Sequence, residues 1–217
     1  MAPWEPSPIW EGEDCYIIGG GPSLRGFEWD LLKDLHTIGC NTAFQLGPEV
    51  CSVCAYGDDV FYAHHYKELE QFEGPVVTNV PSMLRRDDAP SYIKAMRRKP
   101  KGLWHGDTLG WNSSTGAMAI NLALSFGASR VFLLGFDMAT HKGEPNWHPN
   151  PINTRPQNSV YDRFLRGMGH VARDLESKFP DRQVVNLVGH LGSRLEVFLR
   201  APLEEHEALR GLATWQE

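Results

Sequence analysis

Between Tyr16 and Leu24 the chain reads YIIGGGPSL, a short apolar run that enters three consecutive glycines and then Pro-Ser. A strand ending in glycines lets backbone N–H groups approach a phosphate closely, as the first βα turn of a nucleotide-binding α/β fold requires. The segment departs from the dinucleotide fingerprint. After Gly19 and Gly21 the third glycine falls at Gly26, beyond the G-x-G-x-x-G spacing, and Pro22 stiffens the turn. The same glycines also suit a tight strand-to-helix turn that holds no ligand.

The remainder alternates in the manner of a parallel sheet. Strands are expected at Cys15 to Gly19, His36 to Cys40, Ser52 to Tyr56, Pro75 to Asn79, Arg130 to Gly135 and Gln183 to Leu187, the last completing the sheet. Helices are expected at Glu28 to Lys33, Val60 to Phe72, Ser114 to Phe126 and Val160 to Phe179. The helix from Ser114 has Ala117, Ile120 and Leu124 at helical spacing and stops at Gly127. The pattern breaks twice. Residues 80–112 carry Pro81, Pro90 and Pro100 with no clear period and read as an irregular excursion beside the site or an interface. Residues 138–159 form a polar stretch too long for an ordinary connection and read as a lid. The fold class is therefore α/β: a Rossmann-like open, mostly parallel sheet with helices on both faces, one nucleotide-binding domain over residues 1–217.

Composition narrows the function classes. A chain of 217 residues with 41% hydrophobic content can bury a sizeable core. The net charge of −6 gives no overall attraction to nucleic acid or an anionic membrane. The one basic patch, Arg97-Arg98-Lys99 with Lys101, is either a phosphate contact or a solvated run. Four cysteines, Cys15, Cys40, Cys51 and Cys54, include a single Cys-x-x-Cys with no second pair, so reduced structural thiols are expected rather than zinc. The start, Met-Ala-Pro-Trp-Glu-Pro, has no signal-like pattern and no run reaches membrane length, which makes the cytoplasm the default compartment.

In an open parallel sheet the polar residues that follow strand ends face the ligand. These are Gly19, Gly20, Gly21, Pro22 and Ser23, then Asn41, then Asp58 and Asp59, then Asp137. Asn41 offers a donor and an acceptor to a base or ribose, and Asp137 suits a ribose hydroxyl, a metal or a sugar; both also suit plain turn chemistry. Ser113, Ser114, Thr115 and Gly116 open a helix, giving a second anion-friendly start that is equally an ordinary N-cap. In the lid, His148 lies in Asn146-Trp-His-Pro-Asn150, where an aromatic neighbour and prolines suit a general base near neutral pH; His141 is its competitor. Asp58-Asp59 with His64-His65, or Asp137 with the lid histidines, leaves a divalent ion open.

Taken in order, IIGGGPSL, a strand ending in Cys40-Asn41, N-S-S-T-G opening a helix, F-L-L-G-F-D and a lid, the chain resembles the small bacterial sialyltransferases with a single Rossmann-like domain. It looks equally like a family of unknown function grouped with archaeal hydroxymethylpterin pyrophosphokinases and with phage and prophage proteins. The stretch from Asn186 to Phe198 with Pro202-Leu-Glu is similar to that family's closing strand, short helix and proline. The resemblance implies that Gly19 to Ser23, Asn41 and Ser114 to Gly116 bind a nucleotide, that His148 is the lid base, and that the protein is a homo-oligomer. Two positions depart: Gly20 stands where the family has asparagine, and Met138 where it has a tyrosine that helps hold the leaving phosphate. The expected function is a nucleotide-sugar-dependent glycosyltransferase, with His148 and Asp137 catalytic, a nucleotide-sugar as substrate and an unread acceptor. The alternatives are an ATP-dependent pyrophosphokinase-like enzyme using magnesium at Asp58, Asp59 or Asp137, and a non-catalytic nucleotide-sequestering protein.

Overall fold

The computed structural model describes residues 2–149 and 158–209. Its frame is an eight-stranded sheet. The strands are β1 (Asp14–Ile18), β2 (Thr37–Cys40), β3 (Val53–Tyr56), β4 (Val76–Thr78), β5 (Ile93–Ala95), β8 (Arg130–Leu134), β9 (Gln183–Val188) and β10 (Leu199–Pro202). All neighbours pair in parallel, in the order β10-β9-β8-β1-β2-β3-β4-β5. The order runs outward from β1 to β5 and then restarts on the other side of β1 with β8. The crevice outside the carboxyl ends of β1 and β8 is therefore the topological switch point, where open α/β sheets bind ligands.

Side chains alternate between the faces of each strand, and the faces have separate covers. Cys15 and Ile17 of β1, with Val53 and Ala55 of β3, pack beneath α3 (Thr115–Ser125) and α4 (Asn158–Lys178). Tyr16 and Ile18 face the other way, under 3₁₀ turns at Pro22–Leu24 and Trp29–Leu32 and the segment around Leu203 and Leu209. On that face Cys54, Tyr56 and Val76 carry α1 (Asp59–Glu70) and α2 (Pro81–Arg85). Helices on both faces of a parallel sheet require strands apolar on both sides, which is why β8 reads as an unbroken apolar run.

Several expectations are corrected. The helix expected at Glu28 to Lys33 is a single 3₁₀ turn, since only Leu32 among its residues finds a buried place. The sheet does not end at β9, because β10 pairs along Val185 to Val188. Nor is the stretch at 80–112 irregular: it contains α2, the edge strand β5, and a second sheet of β6 (Arg97–Lys99) and β7 (Thr108–Gly110). The basic run is thus a strand. Arg97 pairs with Asp107 at 2.9 Å, Lys99 lies over the Trp104 ring, and Arg98 donates to the carbonyls of Gly57 (2.6 Å) and Asn79 (2.9 Å) while stacking on Trp111. Arg98 therefore ties the ends of β3 and β4 to the small sheet. All four cysteines are free, buried thiols, and burial pushes each of them up. Among the described residues no helix is long and apolar enough to cross a membrane.

Candidate functional site

A cavity of about 560 Å³ opens at the switch point. Its lining includes Gly19, Gly20, Gly21, Asn41, Asp58, Ser113, Ser114, Thr115, Gly116 and His148, so five separate stretches of sequence meet there. Of the remaining expected site residues, Pro22, Ser23 and Asp137 are not in the lining. They lie behind the loop.

The glycine loop is held by its own backbone. Gly19 N–H donates to the Leu134 carbonyl and Gly21 N–H to the Gly135 carbonyl, each at 2.8 Å. Ser23 donates to Asp137 twice, from its backbone N–H to Oδ2 (2.8 Å) and from its hydroxyl to Oδ1 (2.6 Å). These three amides, expected to cradle a phosphate, are committed to β8 and the residues after it. The glycines have a different physical reason. A Cβ on Gly21 would stand 2.5 Å from the Gly135 oxygen and 2.6 Å from Asp137 Oδ2, and one on Gly19 would stand 2.7 Å from the Gly135 oxygen. Only bare backbone lets the loop lie this close to the end of β8. Asp137 accordingly serves as a staple for the loop; burial pushes its carboxyl up, opposed by the two bonds from Ser23.

The other helix start keeps its donors. Ser114 caps α3 and accepts from the Ala117 N–H at a long 3.5 Å. Thr115 and Gly116 form the first turn, where backbone N–H groups have no intrahelical acceptor, and both line the cavity. Thr115 Oγ1 approaches Asn41 Oδ1 at 3.4 Å, joining this turn to the end of β2. A Cβ on Gly116 would lie 2.5 Å from Phe136, so the helix end sits directly on the residue that follows Gly135. Asn41, Ser113 and Met138 each hold a positive φ, of 53°, 61° and 55°. Backbone held in this sparsely populated region gathers at ligand sites because packing around the cavity must fix it there.

The segment 145–149 meets the glycine loop. Trp147 donates from its backbone N–H to the Gly20 carbonyl (3.1 Å) and from Nε1 to the Gly19 carbonyl (2.8 Å), and its ring packs on Trp29. Its neighbours Asn146 and His148 both line the cavity. His148 Nδ1 lies 2.8 Å from the Pro149 carbonyl, which only accepts, so Nδ1 carries the proton and Nε2 keeps its lone pair. Burial holds the imidazole below its ordinary value, with the Pro149 bond opposing and His65 adding to the fall. The competitor His141 instead closes a small turn, exchanging two 2.9 Å backbone bonds with Glu144. Residues 150–157 of the lid expected at 138–159 lie outside the described residues.

Asp58 lines the cavity mouth, its carboxyl pushed up by burial, with Arg98 and Arg163 opposing. Asp59 accepts from the Ser82 hydroxyl and His65 is bonded to Glu68, so the acidic and histidine pairs do not converge. No three His, Cys, Asp or Glu side chains gather to hold a metal among the described residues. Sequence reasoning missed Trp111, Asn146 as a lining residue, and Val160, Tyr161, Arg163 and Phe164 from the first turns of α4. Tyr161 is only 8% exposed, its phenol pushed up by burial and by Asp137.

The fold defines a class: a Rossmann-like parallel sheet with a cavity at its switch point. The solved structures it is similar to carry a particular name. The chain superimposes on the sialyltransferase CstII from Campylobacter jejuni in complex with cytidine-5′-monophosphate, with 15% identity and a TM-score of 0.54 over 88% of this chain and 85% of that one. CST-II with a trisaccharide acceptor and CMP is similar at 14% identity and a TM-score of 0.54, over 89% and 88% of the two chains. Monomeric CstII is similar at 14% identity and 0.51, over 86% and 85%. At these identities the likeness is one of fold. No family model and no curated protein matches the sequence.

Proposed function

We propose that the protein is a nucleotide-sugar-dependent glycosyltransferase. The observation that carries the reading is the meeting of α3's open first turn with a neutral lid histidine across one cavity at the switch point. The first-turn amides of Thr115 and Gly116 and the hydroxyls around them face the nucleotide phosphate, where a helix N-terminus favours negative charge. His148 Nε2 takes the proton from the acceptor hydroxyl as that oxygen attacks the anomeric carbon, and the bond to the leaving nucleotide phosphate breaks. Positioning by the lid and the electrostatics of the helix start supply most of the acceleration. Asp137 is a positioning residue that holds the glycine loop. The cytidine nucleotide bound by the similar structures makes a CMP-linked sugar the first donor to try.

The test is release of CMP from a CMP-linked sugar in the presence of chelator, comparing wild type with His148→Ala. Wild type turns over without metal, and the variant loses about 10²- to 10⁴-fold, the usual contribution of general-base catalysis. His148 works unprotonated, so protonation at falling pH removes the base. The acid limb of the rate profile therefore lies below the ordinary histidine value of 6.5. An unchanged rate in the variant, or turnover only of ATP with magnesium, contradicts the assignment.

A further inference from the structure

One wall of the cavity takes no part in the chemistry assigned to His148 and the start of α3. Val60 and Phe61 come from the first turn of α1, Trp111 from the turn that precedes α3, and Val160 and Phe164 from the first turns of α4; all five line the cavity. Val60 does so while staying 57% exposed, so the protein itself gives it no cover. Trp111 is built in as a fixed plane. Its backbone N–H donates to the Lys99 carbonyl at 2.8 Å, and the Arg98 guanidinium lies over its ring, 4.3 Å from the centroid. A Cβ on Gly57 would stand 2.0 Å from Cζ3 and 2.5 Å from Cη2 of that ring, and its three nearest atoms are all ring carbons of Trp111. Gly57 is therefore bare so that the indole can rest on the end of β3. Arg98, which also donates to the Gly57 carbonyl at 2.6 Å, fastens the two together.

The charged groups beside this wall are Asp58 and Arg163, which both line the cavity. The Arg163 guanidinium lies over the Phe164 ring at 5.8 Å, and its charge acts on the Asp58 carboxyl, so α1 and α4 face each other here. A polyhydroxylated group laid on five apolar side chains gives up water at each hydroxyl, with two charged residues to replace it, and every hydrogen bond not replaced costs free energy. An aromatic or aliphatic group loses no hydrogen bond there and buries its own surface together with that of the wall. We infer that this wall is the acceptor subsite, and that the acceptor carries an aromatic or aliphatic group beside its nucleophilic hydroxyl. The inference rests on the glycosyltransferase reading above, which puts the acceptor hydroxyl at His148 in the same cavity. The transfer is as already drawn: the acceptor oxygen bonds to the anomeric carbon, its proton passes to His148 Nε2, and the nucleotide leaves with the electrons of the broken bond.

The experiment is a ligand-observed NMR titration of two probes that differ only in the apolar group, phenyl β-D-glucopyranoside and methyl β-D-glucopyranoside. The proteins are wild type, Trp111→Ala, Val60→Asp and Val197→Asp. Wild type binds the phenyl glycoside at least about tenfold more tightly, the step that an added apolar group supplies in a hydrophobic pocket. Trp111→Ala and Val60→Asp each remove most of that preference and leave the methyl glycoside unchanged. Val197, 48% exposed and outside the lining, is the control, and its substitution by aspartate keeps the preference. Val60 is an exposed position, so its variant keeps the test open should loss of Trp111 unfold the protein. Equal affinity for the two glycosides, binding of neither, or a phenyl preference that Val60→Asp leaves intact overturns the inference. Release of CMP from a CMP-linked sugar is followed in parallel. Turnover without the phenyl preference overturns the inference alone, whereas the preference without turnover overturns the glycosyltransferase reading and with it the role of acceptor.

Discussion

Asp137 separates two accounts of the same residue. A polar side chain after a central strand reads as a ligand contact, yet its two oxygens are taken by the hydroxyl and backbone N–H of Ser23. The staple account makes a specific prediction. Asparagine at this position keeps both bonds, because its oxygen accepts from the backbone N–H while its amide donates to the Ser23 hydroxyl. Asp137→Asn is therefore expected to unfold within about 1 kcal/mol of wild type and to keep its turnover within a few-fold. Asp137→Ala leaves the Ser23 N–H buried and unpaired, which costs roughly 1–3 kcal/mol. Denaturant melts and turnover of the two variants check this; if the asparagine variant is dead but stable, Asp137 takes part in the chemistry. His148 shows the complementary case. That it lies in a proline-flanked segment is legible, but its place at the cavity, its tautomer and its lowered basicity depend on Pro149 and on burial that no local pattern records.

At the scale of elements, α4 carries two glycines with opposite meanings. A Cβ on Gly167 would stand 2.0 Å from the Asn112 carbonyl oxygen, so its bareness allows the helix to press against the turn that leads into α3. Gly169 has nothing within 4 Å of such a Cβ. Alanine is favoured over glycine inside a helix by roughly 0.5–1 kcal/mol. Gly169→Ala is thus expected to raise the melting temperature by a few degrees. Gly167→Ala is expected to lower stability by more than that gain, because the obstacle is backbone on both sides. Thermal melts of the pair decide it, and equal stabilisation by both would show that α4 does not rest on the Asn112 turn. The elements themselves were unequally legible. The strand Arg130–Leu134 and the helix Thr115–Ser125 declare themselves by an unbroken apolar run and a helical period. The strands Ile93–Ala95, Arg97–Lys99 and Thr108–Gly110 are three residues each, too short to show a period among prolines and arginines.

For the whole molecule, the switch point was legible because βα alternation and the glycine turn fix where a doubly wound sheet opens. The composition of the site was only half legible. Residues at strand ends, such as Asn41 and Asp58, follow from topology, whereas Tyr161, Arg163 and Phe164 enter from α4, and the face a helix turns to a cavity depends on where its partner elements sit. The glycine loop teaches the same lesson in reverse. Its sequence promised a phosphate cradle, and only the neighbouring strand shows that Leu134, Gly135 and Asp137 already accept its hydrogen bonds. The charge that the cavity favours therefore centres on the start of α3. This is the central claim, and the most direct measurement is the thermal shift of the wild-type protein with cytidine, uridine, guanosine and adenosine nucleotides, each with and without magnesium. A ligand at about 100 times its dissociation constant adds roughly 2.7 kcal/mol of stability. The account predicts a rise of several degrees with a cytidine nucleotide that is the same in chelator. A shift only with ATP and magnesium, or no shift with any nucleotide, would contradict it.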